Sequence, residues 1–113
     1  MIPSPAAVSV PLEVRTVCAA EPRVLVCGDL DCHSYCVFND VLAGLLTANP
    51  RLTPLRLDLS GVTFIDSAGL ASLVRARHAL FERGGDVILC DCSPYLRRVL
   101  ARTCLDKLFT VEG

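Results

Sequence analysis

Asp66 and Ser67 are the pair best placed to do chemistry. The run Ile65-Asp66-Ser67-Ala68-Gly69-Leu70 sets a serine hydroxyl where strand-like apolar spacing gives way to helical spacing. The first amides of a helix have no partner inside the helix, and together with the helix dipole they favour an anion at that end. Ser67 could therefore carry a phosphate without unfolding its own domain. Taken alone, the same Asp-Ser pair also fits a simple helix cap, because both residue types are preferred there.

The cysteines offer two further chemistries. Cys32-His33-Ser34-Tyr35-Cys36 brings three soft ligands close together, and Cys90 and Cys92 stand two apart on what reads as a strand, so zinc is conceivable. Neither set has the paired C-x2-C spacing of structural zinc, and buried thiols in a core account for cysteines as well, so no metal is expected. Cys92-Ser93-Pro94-Tyr95-Leu96-Arg97-Arg98 satisfies C-x5-R between a strand and a helix, the spacing with which cysteine phosphatases hold an oxyanion beside a thiolate. The loop composition opposes that use. Pro94 removes an amide that a phosphate nest needs, and no glycine lets the backbone curl. His33 and His78 are the only histidines, and neither stands at a recognisable spacing from a nucleophile and a carboxylate. No Gly-rich phosphate loop of the Walker type is present, and neither a cofactor nor a catalytic residue is expected.

Composition narrows the partners. Eleven Lys and Arg against twelve Asp and Glu leave no basic excess for a nucleic-acid backbone. No apolar run reaches the roughly 18 residues of a membrane span, and residues 1–11 lack the basic and apolar stretches of a signal peptide, so a soluble cytoplasmic protein is expected. Seven cysteines, an odd number without a secretion signal, read as reduced thiols and not as a disulfide framework.

The elements that must position Asp66 and Ser67 follow from periodicity. Residues 14–19 and 23–27 are β-prone and flank a turn at Glu21-Pro22, which predicts a hairpin closing on Gly28-Asp29-Leu30-Asp31. From 34 to 48, Phe38, Val41, Leu42, Leu45 and Leu46 fall three and four apart, and Asn49-Pro50 stops the predicted helix. A central strand is expected from Leu55 through Val62, Phe64 and Ile65 to the Asp66-Ser67 junction. A second helix over 68–83 would turn Leu70, Leu73, Val74, Leu80 and Phe81 inward, with Arg77 inside that stripe and Gly84-Gly85 as its stop. A strand over 87–92 leads to Ser93 as N-cap and Pro94 at the first helical position, and Leu96, Val99, Leu100 and Cys104 would form the inner face of a third helix. Residues 108–111 add a last short strand or simply dock. Residues 1–11 read as an extended lead-in with three prolines, and 12–113 as one α/β domain. Its crossovers make strands two to four parallel, with the first strand antiparallel at one side.

The stretch from Leu57 to Leu70, Leu-Asp-Leu-Ser-Gly-Val-Thr-Phe-Ile-Asp-Ser-Ala-Gly-Leu, resembles the signature of the STAS family, which includes bacterial anti-anti-sigma factors and transporter tails of the same fold. Gly28-Asp29-Leu30-Asp31 is similar to that family's Gly-acid-Leu-Asp turn, and Gly84-Gly85 with residues 87–89 to its second-helix exit. The similarity runs from about residue 12 to 111. It implies a mixed, mostly parallel sheet of four to five strands packed with about three main helices.

The resemblance also implies a role. In that family the serine at the position of Ser67 is phosphorylated by an anti-sigma factor that is a serine kinase, and a metal-dependent phosphatase removes the phosphate. Carried over, the chain is an anti-sigma factor antagonist that binds the kinase when Ser67 is unmodified, and so releases a sigma factor. Asp31, Asp66, Ser67, Ala68, Gly69 and Leu70 would form the docking surface. A phosphoserine adds about −1.5 to −2 charges beside Asp66 and would expel the partner by repulsion. Gly69 either lets a partner approach the helix or relieves crowding against the sheet. Asp31 either joins the docking surface at the same sheet edge or caps the first helix. Cys32 and Cys36 depart from the small polar residues expected at that helix start. Two alternatives remain: a non-switching scaffold in a larger signalling assembly, with Ser67 only a cap, and a cysteine-dependent enzyme using Cys92.

Overall fold

The computed structural model of the chain describes residues 9–17 and 22–113. Its elements alternate as the periodicity requires: β1 (Glu13–Val17), β2 (Arg23–Leu30), α1 (Tyr35–Ala48), β3 (Pro54–Ile65), α2 (Ser67–Glu82), β4 (Asp86–Cys90), α3 (Pro94–Arg102), a short 3-10 turn (Leu105–Lys107) and β5 (Thr110–Glu112). The five strands lie in sequence order in one sheet, β1 antiparallel to β2 and the rest parallel. The antiparallel register from Glu13 opposite Cys27 to Val17 opposite Arg23 is the expected hairpin. The Glu21 half of its turn lies outside the described residues, as do residues 1–8 of the expected lead-in.

Right-handed crossovers between strands in sequential order put the connecting helices on one face. Burial agrees. Val24 and Val26, Leu55, Leu57 and Leu59, and Val87 and Leu89 are buried beneath the helices in one core with Phe38, Leu42, Leu73, Leu80, Leu96 and Leu100. On the opposite face Cys27, Thr110 and Glu112 are exposed and Leu25, Arg56, Asp58 and Ile88 only half-buried. Arg56 there lies 3.6 Å from Glu112.

β3 departs from simple alternation. Its buried residues run Leu55, Leu57, Leu59 and then Val62 and Ile65, so the spacing changes from two to three. The register with β2 explains it: β3 carries one extra residue between the pairs Leu25–Asp58 and Cys27–Gly61, and another between Gly28–Val62 and Asp29–Phe64. Each is a β-bulge that lets the strand bend without taking its apolar residues out of the core. Phe64, expected among the strand's apolar residues, is left facing solvent.

The inner face of α2 also differs from expectation. Gly69, Ser72, Leu73, Ala76 and Leu80 are buried, whereas Phe81 is 60% exposed and Leu70 and Val74 are only partly covered. Full burial of a leucine is worth about 1.5–3 kcal/mol. An exposed cation–π contact is worth only about 0.5–1 kcal/mol. The helix therefore turns its Leu73–Leu80 line inward, and Phe81 stacks at the surface under Arg77, 4.8 Å from the guanidinium carbon to the ring centre. Arg77 also reaches the carboxylate of Asp86, at 3.9 Å. Gly84, with φ of 80°, reverses the chain, and the amides of Gly84 and Gly85 donate to the carbonyls of Phe81 and Leu80.

Two C-terminal expectations are corrected. β4 ends at Cys90 because Asp91 turns into the left-handed region at φ 55° and donates its amide to Glu112, so Cys92 follows the strand and is not in it, although both thiols are buried. Cys104 does not face the core. α3 stops at Arg102, Cys104 is left-handed at φ 61° and exposed, and Phe109 takes the buried position. Of the two possibilities for the tail, the strand is observed, with Val111 paired to Leu89.

Candidate functional site

Parallel strands β2 and β3 end side by side, Leu30 opposite Ile65, so the loops that follow them emerge at one carboxyl edge of the sheet. Asp31 follows the first strand and Asp66-Ser67 the second, which brings the two sequence-predicted acids together. Asp66 is the N-cap of α2: its Oδ1 accepts from the amide of Gly69 at 3.0 Å. Its Oδ2 accepts from the amide of Cys32, also at 3.0 Å, in the neighbouring loop. Its own amide donates to the carbonyl of Leu30. Burial tends to raise the pKa of Asp66. The amide hydrogen bonds from Gly69, Cys32 and Ala68, joined by the Cys32 side chain, outweigh it and hold the carboxyl below its usual value.

Ser67 is the first residue of α2, not the residue before it, and is exposed. No other described residue hydrogen-bonds its hydroxyl, so capping is done by Asp66 and the serine is left open to solvent. Asp31 is not the N-cap of α1, a position held by Ser34. It organises the loop instead: Oδ1 accepts from the amide of His33, its amide donates to the hydroxyl oxygen of Ser34, and its carbonyl accepts from the amides of Ser34 and Tyr35.

The remaining predicted residues divide by burial. Ala68 is half-buried beside Ser67, and Leu70 packs partly against the core. Gly69 is buried, and a Cβ there would stand 2.2 Å from the carbonyl oxygen of Leu30 and 2.7 Å from Cγ1 of Ile65. Of the two reasons considered for this glycine, relief of crowding against the end of β2 is the one the geometry displays.

Several residues that position the site were not read from the sequence. Tyr95, at the start of α3, places its hydroxyl 3.2 Å from the amide of Ile65 and 3.4 Å from its carbonyl. This matters because β4 pairing stops at Asp58, leaving the last seven residues of β3 without that neighbour. Ser34 donates its hydroxyl to the carbonyl of Asp29 at 2.6 Å, and Thr63 donates to Asp29 Oδ1 at 2.7 Å. Arg83, at the far end of α2, donates to the carbonyls of Asn49 and Leu46 and so caps α1. No local motif marks any of these four. Phe64, at the end of β3, and Val37, in the first turn of α1, are both nearly half exposed and give apolar surface on elements that adjoin the Asp66 and Asp31 loops.

The cysteines do not assemble. Cys32 and Cys36 are exposed, Cys90 and Cys92 buried, and among the described residues no three His, Cys, Asp or Glu side chains gather as a metal set would. Burial pushes the Cys92 thiol up in spite of Arg97, the direction opposite to that of a nucleophile. Arg97 donates to the Cys92 carbonyl, and Arg98 is exposed. His78 faces solvent, 3.5 Å from Glu82. Among the described residues no helix is long and apolar enough to cross a membrane.

Comparison with known proteins agrees with this architecture. A STAS-domain containing protein of Pseudomonas aeruginosa is 32% identical over 63 residues, 54% of this chain and 62% of that protein, so the match spans under two thirds of that relative's length. A crystal structure of an anti-sigma factor antagonist from Mycobacterium paratuberculosis superposes with a TM-score of 0.78 at 23% identity, covering 90% of this chain and 86% of the other. The Bacillus cell fate determinant SpoIIAA, solved in its phosphorylated form, gives 0.66 at 18% identity over 89% and 91% of the two chains. At these identities the two structures establish the shared fold. The model of the STAS domain matches residues 21–113, nearly the whole described chain, and the chain belongs to the STAS domain family.

Proposed function

We propose that this protein is an anti-sigma factor antagonist whose hold on its partner is ended by phosphorylation of Ser67. The observation that carries this reading is the division of labour at the junction: Asp66 does the capping, and Ser67, one residue on, is exposed and unengaged at the helix N-terminus. A phosphate there would change the surface and leave the hydrogen bonds that hold the loops intact. It would also stand beside a carboxylate that its amide donors keep ionised, so a docked partner would face two adjacent negative groups. Structural relatives described as anti-sigma factor antagonists, among them SpoIIAA, which has been solved in unphosphorylated and phosphorylated forms, support the same role.

In this reading the unmodified surface of Asp31, Asp66, Ser67 and Ala68, shaped from beneath by Gly69 and Leu70, binds an anti-sigma factor that is also a serine kinase. Docking frees a sigma factor for transcription, and a metal-dependent serine phosphatase restores the unmodified state. The site binds and is modified; it performs no chemistry itself, and the exchange takes place in a bacterial cytoplasm.

The deciding experiment incubates the protein with candidate serine kinases and ATP and maps phosphate by mass spectrometry, followed by partner capture. Phosphate on Ser67, with Ser67→Ala still capturing the kinase and Ser67→Asp failing to, is the expected result. Phosphate that persists on Ser67→Ala, or capture indifferent to Ser67→Asp, would overturn the proposal.

A further inference from the structure

β1 forms one margin of the sheet, and among the described residues no strand lies along its outer side. Apolar groups collect there. Val10 and Val17 are 43% and 40% exposed, and Leu12 and Val14 pack against the core yet stay only partly covered. Val14 and Val17 lie in β1 itself and Val10 and Leu12 in the residues that lead into it, so an open strand edge is bordered by incompletely buried apolar side chains, which favours pairing with a further strand.

The charges specify which partner. Glu13 and Arg15 flank Val14, both are exposed, and neither pairs with a charge among the described residues. Short charged edge strands often serve to keep a sheet from extending. Here, however, the two charges are opposite in sign and two residues apart, so they lie on the same face of the strand. An antiparallel copy centred on Val14 sets Glu13 against Arg15 twice, Val14 against Val14 and Leu12 against Thr16. A copy centred on Glu13 or on Arg15 sets like charges directly against each other, which is unfavourable. Of these three registers only the one centred on Val14 satisfies both charges, and the two-fold axis that relates the strands closes the assembly as a dimer.

We propose that β1 pairs antiparallel with β1 of a second copy of this chain, in the register centred on Val14, giving one continuous sheet with five strands from each copy and both helical layers on the same side. The surface is the outer edge of β1, which β2 separates from β3 and Ser67, and the pairing requires nothing of the partner proposed there.

Analytical ultracentrifugation of the full chain in reducing buffer tests this. The unaltered protein should sediment as a dimer, and Glu13→Arg and Arg15→Glu should each weaken association by at least about ten-fold, because each sets two like-charge pairs face to face. An equal mixture of the two variants should recover the dimer, as should the double exchange, since both restore opposite charges in the same register. Circular dichroism of each variant establishes that it is folded. A monomer at the highest soluble concentration, dimers unaffected by the single exchanges, or a mixture that stays monomeric would each overturn the proposal.

Discussion

The carboxylate of Asp66 is hydrogen-bonded to the backbone of Cys32, 34 residues earlier in the chain, as well as to its own helix. One side chain thus joins the loops after β2 and β3, and the edge carrying Ser67 is held as a unit. This linkage can be removed without touching the serine.

Asp66→Ala deletes a helix cap and a second amide acceptor, and should cost roughly 1–2 kcal/mol in urea denaturation. The pH dependence has a defined sign. The folded-state pKa of Asp66 is depressed, so its contribution is complete above the unfolded value and is lost as pH falls through the folded one. The stability difference between the natural protein and Asp66→Asn should therefore stay constant from neutrality down to about pH 5 and shrink below about pH 4. A difference that grew on acidification would contradict the assigned hydrogen bonds.

Gly69→Ala separates helix propensity from packing. Alanine is the better helix former by about 1 kcal/mol. Its Cβ would nevertheless meet the Leu30 carbonyl at 2.2 Å, a backbone atom that cannot swing aside. Overpacking of this kind costs about 1–3 kcal/mol. The substitution should lower the urea midpoint with the slope unchanged, and a gain in stability would show that the loops are less closely apposed than described.

Thiol reactivity distinguishes the binding module from a cysteine enzyme. Brief alkylation of the native protein followed by peptide mapping should label Cys27, Cys32, Cys36 and Cys104, which are exposed, well ahead of Cys90 and Cys92, which are buried. Burial raises both of the slow thiols, reducing the reactive thiolate further. Rapid selective labelling of Cys92 would revive the phosphatase-like reading.

Much of this was legible in the sequence because the determinants were local. Apolar spacing in residues 34–48, the Ser93-Pro94 start and the Gly84-Gly85 stop each depend on neighbours a few positions away, and they placed α1, α3 and the end of α2 to within a few residues. The meeting of Asp31 with Asp66 also followed, since parallel strands share a carboxyl edge. What escaped depended on distant partners. Tyr95 is defined by the unpaired end of a strand 30 residues before it, and Arg83 by carbonyls of another helix. Phe81 matches the apolar stripe by type, but Leu73, Ala76 and Leu80 decide the rotation of α2. Cys104 fits the period of α3, and only the chain's left-handed exit reveals that the helix has ended.

The two bulges of β3 make the position of Ser67 a question of parity. A strand has only two sides, so one surplus residue exchanges them and a second restores them. Leu57 opposite Val24 and Ile65 opposite Leu30 are therefore in phase, although the strand between them gains two residues on its neighbour. Losing one of the two would do more harm than losing both: Ile65 would swing to the uncovered face and carry Asp66 and Ser67 round with it, whereas a double loss would shorten the strand and keep its orientation. A hydroxyl at the sheet's edge thus owes its direction to an even number.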